Sequence, residues 1–182
     1  MIYHFAFCVI ISVQFETVIE IATMPTARAK EILDRFWDRS IPVNIQNIAA
    51  QMGVVVRFVP QQALGEKDYS GKFKFDEEGI PTCVVRSTDS ILRQRFTIAH
   101  ELGHYVLQHG PSFRDSTQNF SLNNFDPKER DANRFAAEIL MPKIAVDFCI
   151  QKKNIKTVSE LAEIFQVSTT AMRFRLQNLG WL

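Results

Sequence analysis

Apolar residues recur at two spacings along this chain, and the switches between them mark its elements. From Thr26 to Arg39, Ile32, Leu33 and Phe36 fall on one helical face, and Pro42 stops the run. Asn44 can cap a short helix over Ile45, Ile48, Ala49 and Met52, closed by Gly53. Val54 to Val59 is β-branched and reads as a strand. Two more strands, Tyr69 to Phe75 and Thr82 to Val85, flank a turn at Asp76 to Gly79. Helical spacing resumes near Asp89 and runs to Gln108, where Gly110 and Pro111 end it. Residues 111–125 are rich in Ser, Thr, Asn and Gln and read as a surface loop. Further helices are expected at 127–140, 143–152, 157–165 and 169–178. A small sheet followed by a run of helices is an α+β arrangement.

Residues 1–25 stand apart. The odd positions from Tyr3 to Ile21 are apolar except Thr17, which reads as a strand, though one of unusual length. The alternative is an upstream start codon, with the domain proper beginning near Met24. The longest unbroken apolar run, Phe5 to Ile11, falls far short of the ~20 residues that span a bilayer. A basic start and a small-residue cleavage site, the marks of a signal peptide, are missing.

Composition narrows the function classes. With 182 residues, the chain can bury a proper core in one domain, expected over 26–182. A formal net charge of +1 gives no global field for nucleic acid or anionic lipid. Three scattered cysteines, Cys8, Cys83 and Cys149, lack any C-x-x-C pairing. They argue against a disulfide framework and a cysteine metal site, and suit a reducing cytoplasm.

The chemical centre is His100-Glu101-Leu102-Gly103-His104, an H-E-x-x-H motif inside a predicted helix. Residues four apart share a helix face, so two imidazoles can converge on one Zn²⁺. Glu101, one helical step round, is aimed to act on water rather than to ligate. The helix is apolar on its other sides, at Phe96, Ile98, Ala99, Leu102, Val106 and Leu107, so it is buried. Buried imidazoles need partners, and a metal supplies one.

A third ligand remains to be found. His109 does not match the metzincin spacing, which needs Gly and His where this chain has Leu107 and Gly110. On a continuous helix His109 would also lie about opposite His100. Asp126-Pro127 opens the next helix, whose inward face carries Ala132, Phe135, Ala136, Ile139 and Leu140. Glu129 and Asn133 fall on that face, whereas Asp131 and Glu138 project away. Glu129 can then be the third ligand, or it can complete a capping box with Asp126.

RQRFTIAHELGHYVLQH (93–109) followed by ERDANRFAAEILMP (129–142) resembles the ImmA/IrrE-type metallo-endopeptidases. IPVNIQNIAAQMGV (41–54), a Ser70-Gly71 turn and VSTTAMRFRLQNLG (167–180) are also similar, so the resemblance covers about residues 26–182. It implies a small sheet on a helical, zincin-like core, with one catalytic zinc. His100, His104 and Glu129 would hold the metal, Glu101 would be catalytic, and Asn133 would orient a histidine. An oxyanion donor is expected as well, with Tyr69 and Tyr105 both open. It further implies limited cleavage of a regulatory protein, a helix-turn-helix repressor, in the cytoplasm.

Residues 155–180 have helix-turn-helix spacing, opened by the capping box Thr157-x-x-Glu160. Five basic residues against two acidic ones over 151–182 leave DNA reading conceivable. Packing is the expected role, since Gln166 stands where such a turn usually has glycine. Arg173 and Arg175 would then offer a basic surface for substrate docking. The rival class is a non-proteolytic metal-binding module, such as a toxin–antitoxin partner. An intact Glu101 counts against it, because a structural metal site needs no base.

Overall fold

The computed structural model describes residues 24–65, 69–110, 112–115 and 126–182. The alternating segment at the N-terminus and most of the polar stretch before Asp126 lie outside these residues. Helix α1 (Pro25–Phe36) and helix α2 (Ile45–Gln51) lead into strand β1 (Val55–Val59), a 3₁₀ turn at Gln61–Ala63, and strands β2 (Tyr69–Phe75) and β3 (Pro81–Arg86). Then come α3 (Ile91–Val106), β4 (Ser112–Asp115), α4 (Pro127–Leu140), α5 (Lys143–Gln151), α6 (Val158–Phe165) and α7 (Thr169–Asn178). The fold is α+β, as the pattern predicts.

The four strands form one sheet in the order β1-β3-β2-β4. β1 lies parallel to β3, while β2 is antiparallel to both of its neighbours. β3 is central, and Thr82, Cys83, Val84 and Val85 are all buried. Strand β4 corrects the expected loop. Its sequence, Ser-Phe-Arg-Asp, lacks the apolar alternation that announces a strand. Backbone pairing with the free edge of β2 holds it, and that edge offers its N–H and C=O groups to any sequence. Ser70 and Gly71 are likewise strand residues rather than a turn, beside an irregularity in the β2–β4 register.

Helix α3 crosses the sheet and is the hub of the molecule. Ser90 caps it by accepting from the Arg93 N–H. Arg93 Nε donates to the buried Ser70 hydroxyl at 2.8 Å, fixing α3 to β2. One turn further the two elements almost touch: a Cβ on Gly71 would stand 2.4 Å from Thr97 Cγ2 and 2.8 Å from the Val84 carbonyl. Only glycine fits there. On its other side α3 packs on α4, which also packs on α1. Ile98, Ala99 and Leu102 join Phe135, Ala136 and Ile139 in one continuous core.

The C-terminal pair α6–α7 is part of this body. Gln166 takes the left-handed conformation that glycine usually supplies, at φ 51°. Arg95 of α3 donates to the Val43 and Gln166 carbonyls at 3.0 and 3.2 Å, tying the pair to the α1–α2 connection. Arg175 is buried, donating to the Met141 carbonyl at 3.0 Å and to Glu138 Oε2 at 2.7 Å. The basic docking surface expected at Arg173 and Arg175 is therefore not formed by both residues. Arg173 is exposed, but Arg175 is occupied inside the fold. Among the described residues, no helix is long and apolar enough to cross a membrane.

Candidate metal centre

His100 and His104 lie one turn apart on α3 and are almost wholly shielded from solvent. Their Nε2 atoms are 3.0 Å apart. Glu129, in the first turn of α4, reaches across with Oε2 3.2 Å from His100 Nε2 and Oε1 3.0 Å from His104 Nε2. Ligand atoms on a tetrahedral ion at ~2.0–2.1 Å stand about 3.3 Å apart, so the three donors already have nearly that spacing. Together they form a group that could hold one metal ion.

The chemistry of the donor set fits a cation. His100 Nδ1 lies 3.0 Å from Asn133 Oδ1, and an amide oxygen only accepts. The hydrogen of a neutral His100 ring therefore sits on Nδ1, leaving an Nε2 lone pair aimed at a carboxylate and a second imidazole. Three electron-pair donors converging in a buried place are unfavourable unless a proton or a metal lies between them. With a proton there, burial would raise the Glu129 carboxyl, but hydrogen bonds and charge from the protonated imidazoles outweigh it and hold the group far below the usual carboxylate range.

The capping-box alternative for Glu129 is not made. Asp126 accepts from the Lys128 N–H rather than from that of residue 129, and the Glu129 carboxylate faces the histidines. Asn133, four residues on, falls on the same face. Glu138 does not point into solvent, since it receives Arg175.

Glu101 is completely buried on α3, with its Cγ 3.8 Å from where a Gly71 Cβ would be. Beneath it Cys83 is a free thiol, pushed well up first by burial and then by the Glu101 charge, so it stays neutral. Neutral thiols are poor zinc ligands. Tyr105 packs against the sheet, with its ring 5.2 Å from Phe73 and 6.4 Å from Phe75.

The place of His109 was not legible from helical phase. α3 stops at Val106 instead of running to Gln108, and Gln108 turns left-handed at φ 56°. The chain doubles back and puts His109 Nδ1 3.1 Å from His104 Nδ1. His109 is held below the usual imidazole range, mainly by burial and then by His104. A left-handed stop at glutamine is rare, and nothing in the sequence announced it.

Fold and centre together are those of an α+β metallopeptidase. The chain belongs to the IrrE N-terminal-like domain family of peptidases, whose family model matches residues 49–177. A comparison with curated proteins returns no match.

Proposed function

We propose that this chain is a zinc-dependent endopeptidase in which His100, His104 and Glu129 hold one Zn²⁺ and Glu101 is the general base. The observation that carries this proposal is the convergence of the two imidazole Nε2 atoms and the Glu129 carboxylate within 3.0–3.2 Å of one another. When bound, zinc would polarise the scissile carbonyl and make attack by water accessible near neutral pH. Glu101 takes a proton from the attacking water and returns it to the leaving amine nitrogen. Asn133 and the flanking core hold the His100 ring in place. A non-catalytic metal module would have no use for a carboxylate buried one residue from its first ligand.

The peptidase domain is taken to span residues 26–182, with the preceding segment dispensable. A chain beginning at Met24 should therefore fold and bind zinc like the full one. The substrate is a regulatory protein of the cytoplasm, and limited cleavage of a helix-turn-helix repressor is the specific expectation. Its support is the resemblance to ImmA/IrrE-type enzymes. DNA binding is not expected, since Arg175 is engaged inside the fold. The test is to incubate the zinc-loaded protein with the repressor encoded beside it and to map fragments by mass spectrometry. A single chelator-sensitive cut is the expected result. An uncut repressor alongside broad digestion of unfolded proteins would overturn the substrate assignment.

A further inference from the structure

The end of α3 follows a recognised backbone pattern. Leu107 is the C-cap, Gln108 is the left-handed residue after it, and His109 comes next. The Gln108 N–H donates to the Tyr105 carbonyl at 3.2 Å, and the His109 N–H to the His104 carbonyl at 3.0 Å. These two bonds define a Schellman motif, which brings the second residue past the cap against the residue three before it. That contact is usually apolar. Here it joins two imidazoles, with ring centroids 5.1 Å apart and nearly perpendicular.

From this we infer that His109 is a positioning residue for His104: its Nδ1 accepts the hydrogen on His104 Nδ1 and so keeps the His104 Nε2 lone pair turned toward Glu129 and His100. The inference rests on the proposed metal site and extends it to a residue outside the ligand set. His104 can present a lone pair at Nε2 in its neutral form only if its hydrogen is on Nδ1. His109 Nδ1, 3.1 Å away, is then the acceptor, and the His109 hydrogen sits on its own Nε2. His100 has the equivalent arrangement with Asn133 Oδ1. Each candidate histidine ligand thus has its own neutral acceptor, one from α4 and one from just past the end of α3.

His109 is also held by the next helix, α4. Lys128 Nζ donates to the His109 carbonyl at 3.3 Å, and Lys128 immediately precedes Glu129. The segment that orients His104 is therefore anchored beside the third candidate ligand. Displacing His109 would disturb the tautomer of one ligand and loosen the approach of another.

The test compares His109→Phe, which keeps a ring against His104 without an acceptor, with His109→Asn, whose Oδ1 replaces Nδ1. The primary readout is zinc affinity from competition with a chromophoric chelator, with the melting temperature of the metal-free proteins alongside. His109→Phe should weaken zinc binding by roughly 10–100-fold, and His109→Asn should recover most of that loss. Metal-free melting temperatures should stay level, and nitrogen chemical shifts of the zinc-loaded wild type should show His109 protonated at Nε2. Wild-type affinity in His109→Phe would overturn the inference, as would equal losses in both variants with a lowered metal-free melting temperature. Zinc binding by wild type but not by His104→Ala checks the site separately. Failure of the wild type to bind zinc would remove the site and this inference together.

Discussion

Gly103 lies directly against Ala132, so that a Cβ on Gly103 would stand 3.2 Å from the Ala132 Cα and 3.3 Å from its carbonyl oxygen. The contact lies one residue before His104 and three after Glu129. The missing side chain sets the gap across which Glu129 reaches the two histidines.

Gly103→Ala should accordingly weaken zinc binding more than tenfold. The extra methyl would stand 3.1 Å from the Phe135 ring and meet the Ala132 backbone, which cannot rotate away, so α4 should give by a few tenths of an ångström and carry Glu129 with it. Overpacking of ~1–3 kcal/mol should outweigh the gain of up to ~1 kcal/mol in helix propensity, leaving a net loss of stability. Chelator competition and thermal melts check both. A variant that melts higher and binds zinc normally would show that this contact does not set the spacing.

Glu129→Ala should lose zinc affinity by well over ~100-fold, beyond the range typical of residues that only orient ligands. Asp131→Ala should change it little, since the partly buried Asp131 lies 3.8 Å from Arg134 and is not among the converging donors. Equal losses in a competition titration would count against Glu129 as a ligand.

Glu101→Gln should retain zinc at one equivalent and lose ~10²–10⁴-fold in hydrolysis, because an amide keeps the shape but cannot take a proton from water. Metal analysis and a peptide-cleavage assay on the same preparation decide it. Near-normal turnover would remove Glu101 as the base.

Arg175→Ala should destabilise the fold by about 3 kcal/mol or more, because it leaves the Glu138 carboxylate without its cation. Arg173→Ala should stay within about 0.5 kcal/mol, as exposed positions usually do. Thermal melts of the two variants give the comparison. A small effect at Arg175 would mean that the C-terminal pair is only loosely attached.

Periodicity was a good guide wherever side chains decide the structure. The apolar faces around Ile98 and Leu102, and around Phe135 and Ile139, gave both central helices and the phase that turns Glu129 and Asn133 inward. It gave nothing where the backbone decides. β4 exists because β2 has an edge to pair, and its own residues carry no strand pattern. The end of α3 depends on Gln108 adopting a conformation its side chain does not favour, so His109 was placed by extending a helix that had already stopped. Arg175 was misjudged for a third reason. A charge on a short amphipathic helix reads as solvated unless its partner, here Glu138 on a helix distant in sequence, is known.

The two histidines are 1% and 2% exposed, whereas the Glu129 side chain is 21% exposed. This unevenness has a consequence for traffic. Among the described residues, solvent reaches the centre beside its carboxylate, so on the proposed reading an ion and a peptide would approach from the same side. A peptide bound there would then cover the ion. Engaged enzyme should then surrender its metal to a chelator more slowly than idle enzyme, with occupancy acting as a latch on a site that stays exchangeable between turnovers.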